Sequence, residues 1–93
     1  MMLRERLRGV DLAVASLLGE RSHVVEQIFG LKQRFGMSLR VPEQEMLNTK
    51  NFVDACTRVG LSREFGAIII RLVIDESLRT QRLLLMQENE GTS

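Results

Sequence analysis

Between Met2 and Phe35 apolar residues return in heptads, and this repeat commits more than a third of the chain to one helix. Leu7, Val14, Ile28 and Phe35 form one row, with Arg21 in its middle. Leu3, Val10, Leu17, Val24 and Leu31 form a second row that is wholly apolar, and Arg4, Asp11, Leu18, Val25 and Lys32 run beside them. At about 1.5 Å per residue such a helix spans roughly 50 Å. A compact chain of this size has a radius of gyration near ~12 Å, so the helix overhangs any core its own chain can build. Gly9, Gly19 and Gly30 lie off the apolar rows, and each weakens the helix by up to about 1 kcal/mol. A helix of this kind needs tertiary packing along its whole length. A second copy of the chain is the simplest supplier, so the expected architecture is an all-α, intertwined homodimeric bundle.

The rest of the chain reads as two more helices. Pro42 suits the first position of a helix, where its missing N–H does no harm, and Glu43 and Glu45 favour the positive end of the helix dipole. Leu47, Phe52, Val53, Cys56 and Val59 make the expected apolar stripe, and Gly60 is placed to end the helix in a left-handed cap. Ser62 fits the N-cap of a third helix, on which Ile70, Val73, Ile74, Ser77, Gln81 and Leu84 share a face. Residues 1–93 are therefore expected to form a single domain of long, short and medium helices at about 2–35, 42–59 and 62–88, with a loop over Met37–Val41 and a frayed tail from Asn89.

Composition removes several functions. Thirteen Lys and Arg against twelve Asp and Glu leave a net charge of +1, too balanced for a phosphate-backbone binder. Four Phe are the only aromatic residues, so bases have little to stack on, and no nucleic-acid partner is expected. The apolar stretch Ala67–Ile70 is broken by Arg71, far short of the ~20 residues a membrane span needs. A single cysteine, Cys56, cannot form an internal disulfide, and Met-Met-Leu-Arg-Glu-Arg is no secretory signal. A cytoplasmic, membrane-free location is expected. Cys56 sits on an apolar stripe and His23 on the outer side of the first helix, which favours burial for the one and solvation for the other. No Cys/His cluster has metal spacing, no glycine-rich loop could cradle phosphate, and no nucleophile has an evident base. Neither a metal nor a cofactor is expected.

What remains is a set of cations and donors on apolar faces. Residues three or four positions from Arg21 on the helix are Leu17, Leu18, Val24 and Val25, none of them acidic. Those around Lys32 are Ile28, Phe29, Phe35 and Gly36, and those after Arg4 are Leu7 and Arg8. A buried charge with no counter-charge costs several kcal/mol, roughly, so an anion is required from another helix or from a ligand. Together with Glu45, Ser77 and Gln81, these side chains suit a small dianion held in a fixed shape. Singly, each has a plainer use. Arg21 could set register in a helical seam, Lys32 could extend to solvent, Glu45 could complement a helix dipole, and Ser77 could bond its own backbone.

The order of these residues along the chain resembles the all-helical class of chorismate mutase. The matching pieces are Leu3-Arg4, Val10-Asp11, Leu17-Leu18-Gly19-Glu20-Arg21, Lys32 eleven residues on, Glu45, and Ile74-Asp75-Glu76-Ser77 through Thr80-Gln81. The resemblance implies an isomerase that rearranges chorismate to prephenate in phenylalanine and tyrosine biosynthesis. It implies an intertwined dimer with two sites, each completed by an arginine of the other chain. Arg21, and Arg4 of the second copy, would hold the two carboxylates. Lys32 and Gln81 would donate to the ether oxygen whose bond breaks, Glu45 would accept from the ring hydroxyl, and Ser77 would support the carboxylate end. The family pattern that opens the second helix is Asp-Pro-x-Arg-Glu; here it reads Val41-Pro42-Glu43-Gln44-Glu45. Val41 and Gln44 therefore stand beside the site where an acid and an arginine are usual. Two further readings share the same residues: a lyase that splits isochorismate to salicylate and pyruvate, and a non-catalytic helical module that works with a partner enzyme.

Overall fold

The structure, a computed structural model, describes residues 2–37 and 42–91. It consists of α1 (Met2–Arg34), α2 (Pro42–Arg58) and α3 (Arg63–Gly91), with no strand among the described residues. Beyond Met37 the expected loop, and with it Val41, lies outside the described residues. The tail does not leave the helix at Asn89, since α3 continues to Gly91.

The helix ends follow from local chemistry. Gly36 has φ 65° and Gly60 φ 88°, a left-handed conformation open to glycine because it lacks a Cβ. At the end of α1, Met37 N–H donates to the Lys32 carbonyl (2.7 Å) and Gly36 N–H to that of Gln33 (3.2 Å). At the end of α2, Leu61 N–H donates to Cys56 (3.0 Å) and Gly60 N–H to Thr57 (3.1 Å). Both are the paired bonds that satisfy the last carbonyls of a helix closed by glycine. Four residues separate α2 from α3, and the Ser62 hydroxyl accepts the Phe65 N–H at 3.1 Å, the capping bond of a new helix.

α3 packs against both other helices, whereas α1 and α2 make no close backbone approach to each other. The α2–α3 hairpin is tight because small residues meet where the helices cross. A Cβ built on buried Gly66 would lie 3.1 Å from the Cys56 Cβ, 3.2 Å from its Sγ and 3.5 Å from the Val53 Cα. At the rim, Asp54 is flanked by Arg63 (3.3 Å) and Lys50 (3.6 Å). Exposed pairs of this kind are worth at most about 1 kcal/mol.

Phe29, Val53, Cys56 and Ile70 form the buried apolar core. One sequence expectation needs correction here. On α2 the inward line runs through Glu45, Thr49, Phe52, Val53 and Cys56, while Leu47 and Val59 are exposed. Polar side chains occupy two of the inward positions, which shifts the apparent stripe. On α1 the apolar rows do not pack on the chain's own core, for Leu3 is 76% exposed, Leu7 60% and Leu17 64%. The strip that turns inward shares Arg21 with the first row and otherwise lies beside the rows, through Ser22, Val25, Phe29 and Lys32. The result is elongated, with extents of 55 × 30 × 17 Å and a radius of gyration of 16.4 Å. Among the described residues, no helix is long and apolar enough to cross a membrane.

Gly66→Ala tests the close crossing. Alanine gains up to about 1 kcal/mol in helix propensity, but overpacking a tight contact costs about 1–3 kcal/mol. With the Cys56 Cβ and a backbone atom as neighbours, little can give way, so urea unfolding should show a net loss of stability. A gain would mean the hairpin is looser than this packing.

Candidate active site

Because α1 and α2 both lie on α3 without close backbone approach to each other, a cleft opens between them. It has a volume of about 460 Å³ and is lined from all three helices, within the size range of small-molecule sites. α1 contributes Arg21 and Lys32, α2 contributes Gln44 and Glu45, and α3 contributes Ser77 and Gln81. Six of the eight residues singled out from the sequence therefore meet in one place. Periodicity explains the convergence. Arg21 and Lys32 lie eleven residues apart, three helical turns, and Ser77 and Gln81 lie four apart, one turn, so each pair shares a face.

Arg4 is not in this cleft. It lies in the first turns of α1, seventeen residues before Arg21, or roughly 25 Å along the helix. Val41 lies outside the described residues.

Arg21 is the most constrained member. It is half-buried, and its Nη1 donates to the Ser77 Oγ at 2.5 Å. The Ser77 hydroxyl donates its own O–H to the Val73 carbonyl at 3.1 Å, so it offers Arg21 a lone pair and no charge. Glu76, next in sequence, does not serve Arg21. Its carboxylate is gripped by the forked N–H groups of Arg79 at 2.6 and 2.7 Å, and that hydrogen bonding holds the Glu76 carboxyl below its usual range. Partial burial alone pushes the Arg21 guanidinium pKa down, with no carboxylate raising it. The expectation that Arg21 lacks an acidic neighbour on its own helix thus extends to the other helices among the described residues. Lys32 and Glu45 differ, since both are engaged in interactions within the chain. Ser77 also shows the backbone bond expected of a helical serine, so its plainer use and its place in the cleft coexist.

The other expected bystanders behave as such. His23 is exposed on α1, 3.7 Å from Glu26, and Cys56 is buried with a free thiol. Among the described residues no group of His, Cys, Asp and Glu could hold a metal ion. Sequence reading missed Asn48, which lines the cleft one turn after Gln44 and accepts its Nε2–H at 3.2 Å. The four-residue spacing from Gln44 was the available signal. Val25, Ile28, Ile74 and Leu78 complete the apolar wall.

A family model described as chorismate mutase type II matches residues 3–82, a span that includes every described wall of the cleft. The bifunctional chorismate mutase/prephenate dehydratase of Buchnera aphidicola subsp. Acyrthosiphon pisum (strain APS) is 26% identical over 85 residues, covering 91% of this chain and 22% of the relative. The T-protein of Enterobacter agglomerans is 27% identical over 79 residues, covering 85% of this chain and 21% of the relative. The chain thus spans about a fifth of the length of these relatives. No solved structure matches it significantly.

Arg21→Ala separates a ligand-binding cation from a structural one. The one bond lost is charge-assisted and worth about 1.5–3 kcal/mol, part of which is offset by relief of the guanidinium's desolvation, so the unfolding free energy should fall by less than about 2 kcal/mol while calorimetric binding of a small dicarboxylate disappears. Removing one member of a structural ion pair would instead cost about 3–5 kcal/mol. A large fall in melting temperature with binding intact would rule out the ligand role.

Proposed function

The chain belongs to the type II chorismate mutase family, and from that premise we propose that it rearranges chorismate to prephenate in a site shared between two copies. The observation that carries the reading is the meeting of Arg21, Lys32, Glu45, Ser77 and Gln81 in one cleft, with Arg21 provided with no counter-charge. A dianionic substrate supplies that charge.

The chemistry asks little of acids, bases or nucleophiles. One molecule folds its enolpyruvyl arm over its ring, a carbon–carbon bond forms and the ether C–O bond breaks. Fixed charges on the two carboxylates impose the folded conformation, and restricting conformation this way lowers the barrier. Negative charge grows on the ether oxygen as its bond lengthens, so donors aimed there stabilise the transition state more than the ground state. In this reading Arg21 holds a carboxylate and Ser77 fixes Arg21. Lys32 and Gln81 donate to the ether oxygen, and Glu45 accepts from the ring hydroxyl. No metal or cofactor has a step to perform.

The second copy is supported by what one chain leaves uncovered. The exposed surface is 7786 Å², against about 5,500 Å² for a compact monomer of this mass. Much of it is the apolar rows of α1. An apolar groove of about 760 Å³, with Leu17, Leu18, Ile69 and Val73 among its walls, also reaches Arg21 and Ser77 from the other side. An α1 laid there from a second copy would bury its own rows and bring Arg4 towards Arg21. Arg4 would then hold the second carboxylate, which it cannot do from roughly 25 Å away in its own chain. A buried free cysteine fits a reducing compartment, and we place the protein in the cytoplasm.

Ultraviolet assay of chorismate loss, with the product identified, should give prephenate. Salicylate with pyruvate from isochorismate would favour the lyase reading, and no turnover of either compound the non-catalytic one. Gln81→Glu refines the test, because only the protonated acid can donate. Above the carboxyl pKa its activity should fall by about tenfold per pH unit and recover in acid. A flat profile would mean that Gln81 does not face the ether oxygen.

A further inference from the structure

The cleft is electrically one-sided. Its cations stand on α1, and α2 opposes them with Glu45 and two neutral amides, Gln44 and Asn48. The amides are ordered with respect to each other. Gln44 donates Nε2–H to the Asn48 Oδ1 at 3.2 Å, which occupies the Asn48 carbonyl and leaves that residue's two N–H groups for other partners. A carboxylate would be better served by α1, where the charges are. A hydroxyl, which both donates and accepts, suits an α2 wall that carries a carboxylate and an amide N–H within one helical turn.

We propose that Asn48, oriented by Gln44, is a specificity-determining residue that reads the position of the ring hydroxyl. The inference rests on the proposed function for the identity of the ring. The Glu45 carboxylate accepts a hydrogen bond from the hydroxyl, and an Asn48 N–H donates to the hydroxyl oxygen. A substrate with its hydroxyl at another ring carbon leaves the amide unmatched. The Gln44–Asn48 bond in isolation is an ordinary pairing one turn apart on a helix, so the test must separate recognition of the ligand from support of the helix.

The experiment pairs the parent with Asn48→Val and compares chorismate with an analogue that has hydrogen in place of the ring hydroxyl. Loss of one neutral hydrogen bond corresponds to about fivefold. Asn48→Val should therefore lower kcat/KM for chorismate about fivefold and change that for the deoxy analogue less than twofold. Equal effects on both substrates, or none on either, would overturn the role. Calorimetric binding of prephenate and its deoxy counterpart to the same two proteins gives a readout that needs no turnover. If the parent binds prephenate without turning over chorismate, the mutase reading fails and the binding comparison still judges Asn48. If the parent binds neither dicarboxylate, both ideas are overturned.

Discussion

The constraint on which the rest depends is that the backbones of α1 and α2 each pack on α3 and not on each other. The gap this leaves is a cleft with a wall from every helix, and it exists because the α2–α3 crossing is closed by Gly66 against Cys56 while α1 is anchored by Phe29. Arg21 and Lys32 line one side of that gap. They face Glu45, Gln44 and Asn48 across space large enough for a small molecule.

That geometry gives the electrostatics their meaning. Among the described residues, the half-buried Arg21 guanidinium is bonded to a hydroxyl and no carboxylate, beside an acid already taken by Arg79, which suits the proposed role of holding an anionic ligand. Its desolvation opposes folding modestly, and in the proposed function a bound anion offsets it. Ser77 holds it by accepting one N–H and donates its own O–H to the backbone, so the guanidinium is positioned without being neutralised. Preorganisation of this kind suits a reaction whose barrier lies in conformation and in charge building on one oxygen.

Much of this was legible in the sequence. Pro42, Gly60 and Ser62 each mark a helix end by a single local mechanism, and the structure places them in those roles. The cleft residues were legible because helical spacing puts members of a pair on one face before any tertiary fold is known. The inner faces were harder to read. On α1 the continuous apolar rows drew attention from the strip through Ser22, Val25 and Phe29, which carries fewer apolar side chains but packs within the chain. On α2 the inward positions of Glu45 and Thr49 broke the stripe, so Leu47 and Val59 were credited with burial they lack. Gly66 and Asn48 matter through what stands opposite or beside them, and periodicity alone does not report that.

The central claim is a site made by two chains, and mixing two defective chains tests it most directly. Arg4→Ala and Arg21→Ala should each be inactive towards chorismate as pure proteins. Refolded together in equal amounts, half of the dimers would contain one of each chain, and every such dimer would hold one site with both arginines intact. Activity should return to about a quarter of the parent's, as expected for random pairing in a two-fold dimer. No recovery, in a mixture that native mass spectrometry shows to contain mixed dimers, would contradict the shared site.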